Sequence, residues 1–385
     1  MSLRPSRRGL VPPFIAMDVL RAANERQTAG AEIIHLEVGQ PGSSAPASVL
    51  EAARRALVSE PIGYTDALGI TPLRQEIAAH YQMQYGVRVD PSEVVVTTGS
   101  SAAFLLAFLA AFEPGDRVGL AVPGYPAYRN ILSALEIEPV LITVGENAHY
   151  QPTPELLADL GRLDGLIVAS PANPTGTMIS GGELARLTAY CGNRGIRLIS
   201  DEIYHVITYE TAAATARAYG HEAIIVNSFS KYYSMTGWRL GWMLVPPDLA
   251  RSVECLAQNF YISPPALSQI AALPVFGCRG ELDGHVARYR TNRDLLRCAV
   301  SQAGLIHFAP VEGAFYLYVD ISSLTRDSEE FCRRLLAETG VAVTPGLDFD
   351  PIGGGGWVRF SFAGSTESVA EAARRLRDWL PQARW

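Results

Sequence analysis

Residues 93–112 read EVVVTTGSSAAFLLAFLAAF, and this stretch decides the fold class. Val94, Val95 and Val96 begin a run of β-branched residues, the habit of a buried strand. Gly99 and two serines end it. From there to Phe112 the chain is almost entirely Ala, Leu and Phe, which predicts a helix covered on more than one side.

The same beat repeats in both directions. RVGLAV (117–122), PVLITV (139–144), GLIVAS (165–170), RLIS (197–200) and AIIVNSF (223–229) are short apolar or β-branched runs, and helical spacing such as that of 181–194 separates several of them. Strands alternating with helices predict an α/β fold, a mostly parallel sheet with helices on both faces. Upstream, helical spacing covers 15–28, 47–58 and 71–85, with the short apolar strand IIHLEV between the first two. Beyond Pro247 helices are expected at 248–260, 266–277 and 281–303. Short strands (YLYVD, VAVTP, WVRFSF) then mix with helices at 328–339 and 366–380. This reads as a smaller α+β domain: residues 42–284 form the large domain, and 1–41 plus 285–385 the small one.

The 385 residues include 48% hydrophobic and 18% charged, the balance of a globular chain with a large core. The net charge of −7 and the lack of a basic run argue against nucleic acid as a partner. No signal-like or membrane-length apolar run occurs, so a cytoplasmic protein is expected. The five cysteines are scattered without a C-x-x-C pair, which fits a reducing compartment, and no histidine spacing suggests a metal.

Four polar constellations fall at expected strand ends, where open α/β sheets bind ligands. Gly99, Ser100 and Ser101 open a helix, so they read either as a simple cap or as a phosphate site. SPANPTGT (170–177) is either a structural turn or one that aims Asn173 into a cleft. Asp201 ends a buried strand, where a carboxylate needs a cation or donors unless the turn is solvated. The fourth stretch, NSFSKYYSMTGWRLGWM (227–243), holds Lys231, the only lysine among 32 Lys and Arg. An amine can form imines and a guanidinium cannot, although at an ordinary pKa of about 10.4 it needs activation near neutral pH. With Ser228, Ser230 and Arg239 nearby, these requirements converge on pyridoxal phosphate. The amine meets its aldehyde, an aspartate its ring nitrogen, and hydroxyls and an arginine its phosphate.

On these motifs the chain resembles the class I and II aminotransferases, pyridoxal-phosphate enzymes of fold type I, from GQP (39–41) to VRFSF (358–362). The resemblance implies a large, mostly parallel sheet of seven-stranded type with a smaller α+β domain. It makes Lys231 the internal aldimine and the later proton shuttle. Asp201 falls to the ring nitrogen, and Tyr204 and Asn173 to the phenolic oxygen. Tyr125 in PGYPAY lies over the ring, and Gly99, Ser100, Ser101, Ser228 and Arg239 hold the phosphate. Arg359, with Gly39 and Asn173, takes the substrate α-carboxylate. Tyr64 reaches a neighbour's phosphate, so a homodimer is implied. The activity implied is transfer of the amino group of an L-amino acid to a 2-oxo acid by a ping-pong mechanism. β-Lyases and synthases share the fold and form the alternative. An aminotransferase-like ligand sensor of a DNA-binding regulator is disfavoured, because only some 40 residues precede the first motif.

The donor stays open between aspartate, alanine and aromatic types. Tyr125 and Ser100 stand where many aspartate-specific members have tryptophan and some bacterial ones lysine. Arg4, Arg7, Arg8 and Arg129 are candidates for a cation facing a side-chain carboxylate, and all four also read as surface residues. Phe14, Ile15 and Phe315 are expected to face the pocket.

Overall fold

A computed structural model describes residues 3–383 and 385 of the chain. Met1, Ser2 and Arg384, which the small domain was expected to include, lie outside the described residues. Seven strands form the main sheet, in the order Val94–Thr97, Gly241–Leu244, Ile224–Ser228, Arg197–Asp201, Gly165–Ala169, Arg117–Val122 and Glu138–Thr143. All run the same way except Gly241–Leu244, which is antiparallel to both neighbours. Because the expected strands are parallel, their C-terminal ends share one edge, and the polar motifs follow those ends. Register sets Ala169, Asp201 and Val226 side by side at the centre of that edge.

The helix Ser100–Ala111 explains its own composition. Phe104, Leu106, Ala107 and Phe108 are buried, and they pack with sheet residues Val226 and Met243 and with Val253 and Ala257 of the helix Ala250–Tyr261. Each large side chain so covered contributes about 1.5–3 kcal/mol. The helix Thr71–Tyr85 begins with Pro72 in its first turn and stops at Gly86, where φ of +68° suits glycine.

A three-stranded antiparallel sheet joins Thr344–Pro345, Trp357–Ser361 and Tyr316–Asp320. A parallel pair ties Ile34–His35 to Val341–Ala342, which brings the N-terminal segment beside the C-terminal one. The long helix Arg279–Gln302 holds the segment after that sheet through Asn292 Nδ2, which donates to the carbonyls of Phe362 and Gly364 at 3.0 and 3.1 Å.

Several elements differ from the sequence reading, among them the strand Gly241–Leu244, which it did not mark, and the expected helix 266–277, which is α-helical only over Ala266–Ala272. VAVTP is not one strand: Val343 separates two short pairs that join different sheets. The helix Pro126–Ala134, which carries the second half of PGYPAY, was not expected.

Candidate active site

A cavity of about 510 Å³ lies where the motifs meet, at the C-terminal edge of the main sheet. Its lining includes Gly39, Ser100, Ser101, Tyr125, Asn173, Asp201, Tyr204, Lys231, Arg239 and Arg359, from segments spread over 320 positions (359 − 39). Three residues expected at the site do not line it. Gly99 sits just behind Arg239. Ser228 is buried and donates to Ser230 Oγ at 2.9 Å and to the Leu240 carbonyl at 3.2 Å, and Ser230 is the hydroxyl at the cavity wall. Tyr64 is 82% exposed on the surface.

Lys231 follows the strand Ile224–Ser228, and its Nζ donates to the Gly39 carbonyl at 2.7 Å. The side chain is half-buried and lines the cavity. Burial, then the nearby Arg359 cation, lowers its pKa from 10.5 to about 8, while Asp201 works against the shift. The activation that an amine nucleophile needs is thus built in.

Asp201 is 5% exposed. Burial raises its pKa to about 6, while donors from the Tyr128 hydroxyl and the Ile203 N–H hold it down. It is a buried carboxylate with no cation paired to it among the described residues.

At the other end, Arg239 adopts φ of +51° and donates to the Thr236 carbonyl at 3.1 Å. A Cβ at Gly99, whose own φ is +82°, would lie 2.5 Å from Arg239 Nη2. Glycine there lets the guanidinium close onto the start of the helix Ser100–Ala111, where unpaired N–H groups and the helix dipole also favour an anion.

Arg359 is 2% exposed and has no carboxylate within ion-pair distance among the described residues. Nη1 donates to Asn173 Oδ1 at 2.8 Å, and Nη2 to the Glu37 carbonyl and to Thr344 Oγ1 at 3.2 Å. Its Nε is buried and unpaired. The guanidinium lies 4.3 Å from the Tyr316 ring centroid and 4.6 Å from that of Phe349. A buried cation held by neutral acceptors, with donor capacity to spare, is suited to a carboxylate ligand.

Tyr204 pairs through its hydroxyl with Tyr316 at 2.7 Å. Tyr125 meets Phe14 edge-on at 5.7 Å, and burial pushes its phenol up to about 12. Tyr128, Tyr316 and Glu37 were not picked from sequence. Tyr128 sat in a motif already singled out, and the others gave no signal distinct from core or strand residues.

Of the residues expected to face the pocket, Phe14 does, together with Ala16, Met17 and Leu20. Phe315 is instead buried against Tyr204 and Tyr289. Ile15 is turned away, its N–H capped by Asp348 Oδ1 at 3.1 Å. Arg129 does not line the cavity and donates to the Asp348 carbonyl at 2.6 Å, while Arg8 pairs with Glu136 on the surface.

This arrangement has counterparts. Residues 31–376 match the family model of aminotransferase class I and II. A valine–pyruvate aminotransferase of Mycobacterium tuberculosis is 52% identical over 99% of this chain and all of its own length. An aminotransferase structure from the same organism superposes with a TM-score of 0.97 at 51% identity, covering 99% of this chain and all of that one. Aspartate aminotransferase from Thermus thermophilus with maleate superposes at 0.91 and 31% identity, over 98% of this chain and all of that one. The buried amine, the carboxylate and the two anion-ready arginines fit the cofactor of those enzymes, and the chain belongs to the class I and II aminotransferases that use pyridoxal 5′-phosphate.

Proposed function

We propose that this aminotransferase takes its amino group from an L-amino acid with an uncharged aliphatic side chain, valine foremost, and passes it to a small 2-oxo acid such as pyruvate. The reading rests chiefly on one observation: Lys231 and Arg359 share their cavity with the apolar side chains of Phe14, Met17 and Leu20. The name of the Mycobacterium tuberculosis relative agrees with it.

When bound, pyridoxal phosphate supplies an electron-withdrawing ring and an aldehyde, which make the substrate Cα–H acidic. Arg359 grips the substrate α-carboxylate in a fork held by Asn173 and Thr344, with Gly39 alongside. With the cofactor in place, Lys231 Nζ would hold its aldehyde carbon. Once freed by the incoming amino acid, Nζ would serve as the base that takes the substrate Cα proton and delivers it to the cofactor carbon across the shared nitrogen. Asp201 keeps the ring nitrogen protonated. Tyr204 and Asn173 serve the phenolic oxygen, and Tyr125 covers the ring. Ser100, Ser101 and Arg239 hold the phosphate, with Ser228 supporting them through Ser230 and Gly99 making room.

The phosphate end is open in a single chain, since Ser101 and Arg239 are exposed. We take the active form to be a homodimer in which Tyr64 reaches the neighbour's phosphate. The exposed apolar residues Leu57 and Val58 at the end of the helix Ala47–Ser59, with Ile62 and Ile262, support this, because the Thr65 N–H, 3.2 Å from Ser263 Oγ, ties the loop that follows that helix to the one around Ile262. We assign residues 42–284 to the large domain and 1–41 with 285–385 to the small one, and the cytoplasm as the location. Among the described residues no helix is long and apolar enough to cross a membrane.

Mixed with valine and no acceptor, the holoenzyme should convert its aldehyde-form absorbance in one stoichiometric turnover, release the 2-oxo acid and recover on adding pyruvate. Aspartate should react at about a hundredth of that rate or less. Equal rates would overturn the donor assignment. Lys231→Ala should lose both the spectral band and transfer, and an active variant would remove Lys231 from its role.

A further inference from the structure

Besides Asp201, one acidic residue lines the cavity, and the proposed chemistry gives its side chain no part. Glu37 is fully buried. Its Oε1 accepts from His35 Nδ1 at 2.7 Å, while Oε2 is buried without a hydrogen-bond partner among the described residues. An unpaired carboxylate oxygen in such a place is costly, and the local backbone does not need it. The segment is already held by its main chain: the Glu37 carbonyl accepts from Arg359 and from Thr344 Oγ1, and the Leu36 N–H donates to Ala342.

The cations lining the cavity are Lys231, Arg239 and Arg359, each with a task at the amine, phosphate or α-carboxylate. Arg8 pairs with Glu136 on the surface, and Arg129, whose Nη2 donates to the Asp348 carbonyl while its buried Nη1 has no partner among the described residues, does not line the cavity. Among the described residues lining the cavity there is thus no further cation for a second carboxylate, and an acidic residue, Glu37, stands in the wall with its carboxylate buried behind the surface. Two like charges brought together out of water repel strongly, and a buried acidic wall discriminates by what it refuses.

We propose that Glu37 is a specificity-determining residue whose unpaired carboxylate oxygen excludes donors and acceptors carrying a side-chain carboxylate. His35, whose Nε2 lies 3.3 Å from Gln27 Oε1 on the helix Ile15–Thr28, fixes the other oxygen and so keeps Oε2 free. The inference rests on the cavity being the active site as proposed above.

The test compares norvaline with glutamate, donors of equal length that differ in a terminal methyl or carboxylate. Wild-type holoenzyme should favour norvaline in kcat/KM by about 100-fold or more, and Glu37→Gln should narrow that ratio at least about tenfold through a gain with glutamate, leaving norvaline within about threefold. A wild-type enzyme that uses glutamate as well as norvaline, or a Glu37→Gln ratio that does not move, overturns the proposal. Should Glu37→Gln not accumulate as holoenzyme, inhibition of the wild type decides: butyrate must bind more tightly than succinate, and the reverse order overturns it. Lys231→Ala assayed alongside separates the two readings, since an active variant would displace the site itself, whereas an inactive one with an unmoved donor ratio removes only the role of Glu37.

Discussion

The phenol of Tyr128 donates to Oδ2 of Asp201, while the Ile203 N–H donates to Oδ1 at 3.0 Å. The two side chains are 4% and 5% exposed, so the carboxylate depends on these donors rather than on water. Burial raises Asp201 from 3.8 to about 6 and the donors resist it.

Tyr128→Phe should therefore destabilise the cofactor-free protein in a pH-dependent way. Between about pH 4 and 6 the folded chain keeps a proton that the unfolded chain has released. The stability that Asp201 contributes is present below this window and lost as pH rises through it. Without the phenol the folded value climbs further, so the loss extends to higher pH. Urea unfolding should show a deficit of about 1.5–3 kcal/mol at pH 8 that shrinks by pH 5. A deficit independent of pH would mean that Tyr128 acts by packing alone.

Lys231 titrates in the opposite sense. Its folded value of about 8 lies below the ordinary 10.5, so between those limits the unfolded chain holds more protons and stability rises with pH. At pH 7 about a tenth of the amines are free base, where an ordinary lysine would have less than about 0.1%. Cofactor-free protein should thus capture pyridoxal phosphate about tenfold faster per pH unit until about pH 8, then level off, as stopped-flow absorbance would show. Because Arg359 is among the causes that lower this pKa, Arg359→Gln should move the plateau upward. A rate still climbing past pH 10 would contradict the shift.

The sequence made the fold legible wherever one residue could be read against its neighbours. The helices at 15–28, 71–85, 181–194 and 328–339 matched their amphipathic spacing and their stops, because packing and capping act on the same few positions. Gly241–Leu244 was hidden, since GWML lies within a motif read for chemistry and its antiparallel course depends on partners far away in sequence. The site followed the same division. Lys231 and Asp201 stood out as charges at strand ends, whereas Arg359, in the middle of the strand Trp357–Ser361, came only from the family resemblance. Tyr128 and Tyr316 resemble core aromatics until the fold brings their hydroxyls to Asp201 and Tyr204. Ser228 and Ser230 differ by two positions, and only the structure says which hydroxyl reaches the wall.

Gly99 should tolerate no side chain. Its φ of +82° disfavours any L-residue, and a Cβ would meet Arg239 Nη2 at 2.5 Å. Gly99→Ala should cost about 1–3 kcal/mol and weaken cofactor binding about tenfold or more by pushing the guanidinium away from the helix start. Gly145, which has open space around its Cβ direction and a φ of −141°, supplies the control. Gly145→Ala should change neither thermal stability nor the cofactor dissociation constant, and equal effects at both positions would argue against a cradle.

Arg359→Lys keeps the charge but not the geometry. The guanidinium uses separate nitrogens to hold Asn173 Oδ1 and Thr344 Oγ1 while lying against the Tyr316 and Phe349 rings. An ammonium has no planar fork with which to keep those contacts and also meet both oxygens of a carboxylate. The variant should bind pyridoxal phosphate normally, with the same absorbance, because Arg359 touches neither the phosphate end nor Asp201. Its KM for the amino acid should rise about 10- to 100-fold, as expected for loss of a charge-assisted bidentate contact. The same rise should appear for the 2-oxo acid acceptor, since both substrates present an identical α-carboxylate to the same group. A variant that lost activity through kcat alone, with KM unchanged for donor and acceptor, would show that Arg359 serves the chemical step and not the grip.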